Sequence, residues 1–142
     1  MKLFLDANVI FSAAHREEGR AQDLVALAGR GHCQLVTSAH ALGEARRNLE
    51  LKSTGFETRL AHTLAQTTVV PEAPALVVAW SREQGLPPKD APILAAAVYA
   101  GADALVTGDA RDFGHLYDRT LRGVQVLTPA AALALVLKQG GA

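Results

Sequence analysis

Five short apolar runs, separated by longer helical patterns, leave this chain few folds to adopt. The runs are Lys2 to Leu5, Cys33 to Thr37, Thr68 to Val70, Ala104 to Thr107 and Val124 to Leu127, each bounded by Gly, Pro, Ser, Thr or Asp. Segments of that length with such stops read as buried strands. Between them, Glu17 to Gly29 sets Ala21, Leu24, Val25, Leu27 and Ala28 along one broad side and stops at Gly29 and Gly31. Ala39 to Leu51 follows Ser38, an N-cap residue type, and repeats Leu42, Ala45 and Leu49 at i, i+3, i+7. Phe56 to Ala65, Ala75 to Arg82 and Asp90 to Ala100 read as further helices, and Thr128-Pro129 opens a last one. Gly140-Gly141-Ala142 reads as a frayed tail. Strands alternating with helices predict an α/β sandwich with a mainly parallel sheet.

With 142 residues, no internal repeat and no linker, positions 1–142 are expected to form a single domain. Aromatic residues are 5% of the chain against 49% hydrophobic, so the core must be chiefly Ala, Leu and Val. The longest apolar run, Ala130 to Leu137, is far short of the roughly 20 residues a membrane span needs. Met1 to Leu5 meets Asp6 without a signal-peptide segment, and the one cysteine, Cys33, excludes an internal disulfide. A cytoplasmic protein without membrane attachment is expected. Fourteen basic residues balance 14 acidic ones. That neutrality does not exclude a nucleic-acid partner, because an acidic site can offset a basic rim.

In parallel α/β folds ligands bind beyond the carboxyl ends of the strands, and several acids are directed there. Asp6 ends the first strand and Asp109 follows the strand Ala104 to Thr107. Each alone is an ordinary turn residue. Asp90 sits where an N-cap belongs, with Pro92 in the first helical turn, and helix N-termini face the same sheet edge. Glu44 lies in the first turns of its helix, at the border of the apolar face. Asp112 is either a supporting acid or a turn residue before Phe113. Converging carboxylates repel one another unless a cation joins them, and an all-oxygen set suits Mg²⁺ or Mn²⁺. The five histidines have no zinc spacing. A hydrated divalent ion among carboxylates suits phosphodiester hydrolysis, with no Ser, Cys or His nucleophile required.

LDANVIFSA at Leu5 to Ala13, ALGEARRNL at Ala41 to Leu49, PPKDAPILAAA at Pro87 to Ala97 and LVTGDARDF at Leu105 to Phe113 resemble the PIN-domain nucleases. The likeness is greatest to the small prokaryotic proteins that include VapC-type toxins, and it runs from Lys2 to about Leu137. It implies a three-layer α/β/α sandwich and Mg²⁺- or Mn²⁺-dependent endoribonuclease activity. Carried onto this chain, the family's metal-binding and catalytic acids fall on Asp6, Glu44, Asp90 and Asp109, with Asp112 an occasional fifth. Asn8 matches the polar residue that holds the first Asp, and Thr107 the hydroxyl residue that orients the last motif. Ala7 stands where Thr or Ser is frequent. The resemblance also implies a homodimer, a single-stranded or structured RNA substrate and, for a toxin, an antitoxin partner.

Arg46, Arg47, Lys52, Arg82, Lys89 and Arg111 lie near the motifs as candidate phosphate contacts. The competing expectation is a catalytically silent PIN-like RNA-binding or assembly scaffold, whose mark would be loss of one or more of the acids. A haloacid-dehalogenase-type phosphatase needs an acid where Asn8 stands, a receiver domain needs paired acids at Asp6, and no G-x-G-x-x-G dinucleotide turn is present.

Overall fold

A computed structural model describes residues 1–140 of the chain, of which Gly140 closes the last helix. The expected frayed tail otherwise falls on Gly141 and Ala142, outside the described residues. A sheet of six strands runs in the order β3-β2-β1-β4-β6-β5. Its members are β1 (Lys2–Leu5), β2 (Gln34–Ser38), β3 (Thr67–Val70), β4 (Ala104–Val106), β5 (Thr120–Leu121) and β6 (Val124–Leu127). All neighbours pair in parallel except β5 with β6. The eight helices among the described residues are α1 (Ala7–His15), α2 (Arg20–Gly29), α3 (Ala39–Lys52), α4 (Glu57–Ala65), α5 (Ala75–Arg82), α6 (Ala91–Tyr99), α7 (Ala110–Phe113) and α8 (Pro129–Gly140). None is long and apolar enough to cross a membrane.

Alternation along the strands divides the buried side chains into two cores. Leu3, Leu5, Leu35, Ala104 and Val106 pack with residues of α1, α2, α3, α4 and α8 on one face. Phe4, Val36, Leu105 and Val126 face the other way, onto Ile93, Leu94, Ala96 and Ala97 of α6 and Phe113 of α7. This is the three-layer α/β/α sandwich. Alanine in α6 lets that helix lie close on the sheet: Ala91, Ala95, Ala96 and Ala97 are fully buried.

Beyond one-residue shifts at several ends and the short α7, which was not expected, three larger differences separate the structure from the sequence reading. α1 was not expected: it begins directly after β1, with Asp6 as its N-cap in extended backbone. α2 begins at Arg20 rather than Glu17, because Gly19 adopts φ 136°, ψ 178°, a conformation that breaks a helix and that only glycine enters readily. β5 was also unexpected; it folds onto β6 through Arg122 (φ 49°) and Gly123 (φ 84°), a two-residue left-handed turn.

The chain first builds β1, β2 and β3 in one direction, then β4 and β6 on the opposite side of β1. The order therefore reverses between β1 and β4, which opens a crevice at their carboxyl ends.

Candidate functional site

Asp6 and Thr107 emerge side by side in that crevice. The Asp6 N–H donates to Val106 O (3.0 Å), which extends the β1–β4 ladder to the first acid. Asp6 is 3% exposed, and its carboxylate is held by donors on both oxygens. Oδ1 accepts from the Ala7 N–H (2.7 Å); Oδ2 accepts from the Thr107 hydroxyl (2.7 Å) and the Asn8 amide (3.1 Å). Thr107 Oγ1 in turn accepts from the Asp109 N–H (3.1 Å) and from Asn8 Nδ2 (3.3 Å), which fills its hydrogen-bonding capacity. Asn8 Oδ1 accepts from the Gly108 N–H at 2.7 Å. A side chain at Gly108 would bring its Cβ to 3.2 Å from that same oxygen. Asn8 and Thr107 thus join α1 to the β4–α7 turn and fix Asp6 between them. Burial nonetheless raises the Asp6 carboxyl above its usual range, against the lowering effect of these donors, and the Glu44 charge adds to the rise.

Asp90 is also buried, at 4% exposure, but it is held differently. The N-cap role expected for it does not occur: its backbone is already helical (φ −100°, ψ −22°), and its side chain makes no capping bond. An N-cap side chain serves the N–H of the second or third helical residue; the second here is Pro92, which has none, and the third, Ile93, donates to the Asp90 carbonyl at 3.0 Å instead. Freed from capping, Asp90 Oδ2 has no hydrogen-bond partner although it is buried. Burial first, then a shared hydrogen bond with Asp112 and the charges of Asp112 and Asp6, pushes the Asp90 carboxyl up to about 7. The nearby Lys89 opposes this rise. Asp112 moves the other way, its carboxylate favoured by the hydrogen bond from Asp90 and by Lys89.

Asp109 caps α7, its Oδ1 accepting from the Asp112 N–H at 3.1 Å. Asp90, Asp109 and Asp112 each offer a carboxylate oxygen, and all three oxygens lie within 4.8 Å of one another. Asp112 is therefore among the most tightly grouped of the acids, not peripheral to them. Glu44 projects from α3, half-buried at the core border as the helical period indicates. It lines one cavity of about 270 Å³ together with Asp6, Asn8, Asp90 and Asp109.

Of the six basic candidates, Lys52 and Lys89 reach this cavity; Arg46, Arg47, Arg82 and Arg111 are exposed and do not line it. Among residues the sequence reading passed over, Phe11 and Asn48 line this cavity and Tyr117 holds the Thr107 carbonyl. Asn48 lies four residues after Glu44, hence on the same helix face, a spacing that was available to find it. Tyr117 gave no such signal: its hydroxyl donates to Thr107 O (2.9 Å) from a bridge residue beside β6. The donor set is uniformly hard carboxylate oxygen, and it includes a buried oxygen without a partner. Both features fit an Mg²⁺- or Mn²⁺-sized ion.

Comparison with known proteins agrees with this geometry. The sequence pattern of the PIN domain family matches residues 2–111. No curated protein matches the sequence. Among solved structures, the fold is similar to that of VapBC2 from Rickettsia felis, bound to a DNA fragment from its promoter, at TM-score 0.66 and 16% identity. That match covers 90% of this chain and 98% of the other. PAE2754 from Pyrobaculum aerophilum is similar at TM-score 0.66 and 19% identity, over 97% and 99% of the two chains. FitAcB from Neisseria gonorrhoeae follows at 0.58 and 20%, over 90% and 98%.

Proposed function

The chain belongs to the PIN domain family, and from that membership we propose that it is a metal-dependent endoribonuclease acting in the cytoplasm. The observation that carries this reading is the convergence of Asp6, Glu44, Asp90 and Asp109 on one cavity from four separate segments, with one buried carboxylate oxygen left unpartnered. All four acids are retained, which sets the chain apart from a silent scaffold.

In this reading Asp6, Asp90, Asp109 and Asp112 hold one or two Mg²⁺ or Mn²⁺ ions, with Glu44 completing the set. The bound ion supplies activation of water and neutralisation of charge on the phosphate. The chain's own residues supply position. Asn8 and Thr107 each donate to the Asp6 carboxylate and are bonded to one another, so the Asp6 side chain is already ordered when substrate arrives. Glu44 accepts a hydrogen bond from water in the cavity and orients it. Lys52 and Lys89 set positive charge on the cavity wall for the RNA backbone. Likeness in fold to VapBC2 and FitAcB supports a further part of the proposal, that the chain is a toxin with an antitoxin partner. A segment of that partner would cover the acidic cavity with an Arg among the carboxylates. A homodimer completes the proposal.

The test is cleavage of a mixed single-stranded RNA by purified protein with Mn²⁺, with Mg²⁺ and with EDTA. Cleavage that needs the metal and disappears in Asp90→Asn is expected. Binding without cleavage in every metal would replace the enzyme with the scaffold. Equal cleavage by Asp90→Asn would expose a contaminating nuclease.

A further inference from the structure

The two halves of the carboxylate site are neutralised in different ways. On the β1 side, fixed dipoles do it: Asp6 accepts from Ala7, Asn8 and Thr107, all set by the backbone or by locked side chains. On the α6–α7 side the neutralising group is a single ammonium. Lys89 Nζ lies 3.3 Å from Asp112 Oδ2 and 3.6 Å from Asp90 Oδ2. These acids are two of the three whose oxygens converge, and Asp90 Oδ2 is the atom without a hydrogen-bond partner. No other cation makes an ion pair among the described residues.

The two ends of Lys89 are held very differently. Its backbone is pinned: Pro87 and Pro88 precede it, and its carbonyl accepts from His40 Nε2 at 2.9 Å. Its side chain is 62% exposed, so the ammonium rides on a flexible stem that can leave the carboxylates without disturbing the fold. A singly charged, mobile cation therefore occupies the place where carboxylate chemistry calls for a doubly charged one.

We propose that Lys89 is an exchangeable internal counter-ion, which holds Asp90 and Asp112 together in the metal-free protein, must be displaced for a divalent ion to bind, and thereby sets the metal affinity of the site. The inference rests on the metal-dependent reading above. Every molecule whose ammonium sits on the carboxylates is unavailable to the ion, so apparent affinity falls by the fraction so occupied. Exposed ion pairs are weak, which limits the effect to about two- to fivefold.

Lys89→Met keeps the stem and removes the charge; Lys89→Arg keeps the charge. Purified metal-free wild type and both variants are titrated with Mn²⁺ in a calorimeter, and their melting is followed in EDTA at pH 8. Lys89→Met should bind Mn²⁺ about two- to fivefold more tightly than wild type, with Lys89→Arg close to wild type. Without metal, Lys89→Met should melt below wild type, because two acids have lost their shared cation. Unchanged or weaker Mn²⁺ binding by Lys89→Met overturns the proposal, as does unchanged metal-free melting. If wild type binds Mn²⁺ and Lys89→Met binds it no better, the counter-ion role alone fails. If neither wild type nor either variant binds Mn²⁺, the metal-dependent reading fails with it.

Discussion

Asp6 and Asp90 are both buried acids in one crevice, yet their surroundings give them opposite relations to stability. Three donors hold Asp6, so an Asn there would turn an amide toward groups that themselves donate. Asp90 has an unpartnered oxygen and a carboxyl pushed up to about 7 from an ordinary 3.8, chiefly by burial. Between those two values the folded protein holds a proton that the unfolded chain releases. Its stability without metal must therefore fall as pH rises from about 4 to about 7. Melting in EDTA is expected to be lower at pH 8 than at pH 5. Asp90→Asn should flatten that slope and raise the pH 8 melting temperature by about 3–6 °C, as burial of a charge that Lys89 only partly offsets is relieved. A variant that melts lower than wild type at pH 8 would mean that Asp90 stabilises the fold. Asn8 is the opposite case. Asn8→Ala leaves the Gly108 N–H without its acceptor and Asp6 short of one donor, at a cost of about 1–2 kcal/mol in denaturant unfolding. Metal affinity should weaken about 10- to 100-fold in the same variant, because Asp6 loses its orientation.

At the scale of elements, what the sequence discloses depends on whether a segment's signal is local. β1, β6 and α5 fall where apolar runs and helical periods place them; β3, β4, α3 and α4 differ by a residue at one end, and β2 and α6 by a residue at each end. Those elements are bounded by residues that act on their own backbone. α1 is different: it follows β1 with no loop, so Asp6 serves as both strand-end acid and N-cap, and only the first role shows in the apolar pattern. β5 is two residues long and exists because β6 pairs with it. The site divides on the same line. Asp6, Glu44, Asp90 and Asp109 are legible because parallel topology assigns strand ends and helix starts to one edge. The failure of Asp90 as a cap was legible only in part, since Pro92 removes one N–H that a cap could serve while the other is taken by the Asp90 carbonyl. Tyr117 and the close grouping of Asp112 with Asp90 were not, because they depend on how the β4–α7 turn packs against α6.

The whole molecule concentrates repulsion at one sheet edge, and a divalent cation is the natural relief. Mn²⁺ or Mg²⁺ at about 100 times its dissociation constant should stabilise the fold by about 2.7 kcal/mol, or roughly 5–10 °C in melting temperature. A melting temperature indifferent to millimolar metal would remove the ion from the site. The same edge has a bearing on how the protein is made. β1 lies between β2 and β4, and 101 residues separate Asp6 from the Thr107 hydroxyl that holds it. A ribosome adding about 5–20 residues per second needs about 5–20 s to cover that interval. Until then the nascent chain gains Glu44 and Asp90 after Asp6, but it has neither the strand that closes beside Asp6 nor Asp109 and Asp112. On the proposed reading, a half-translated chain has no complete carboxylate site, and the site is assembled only when β4 lies beside β1.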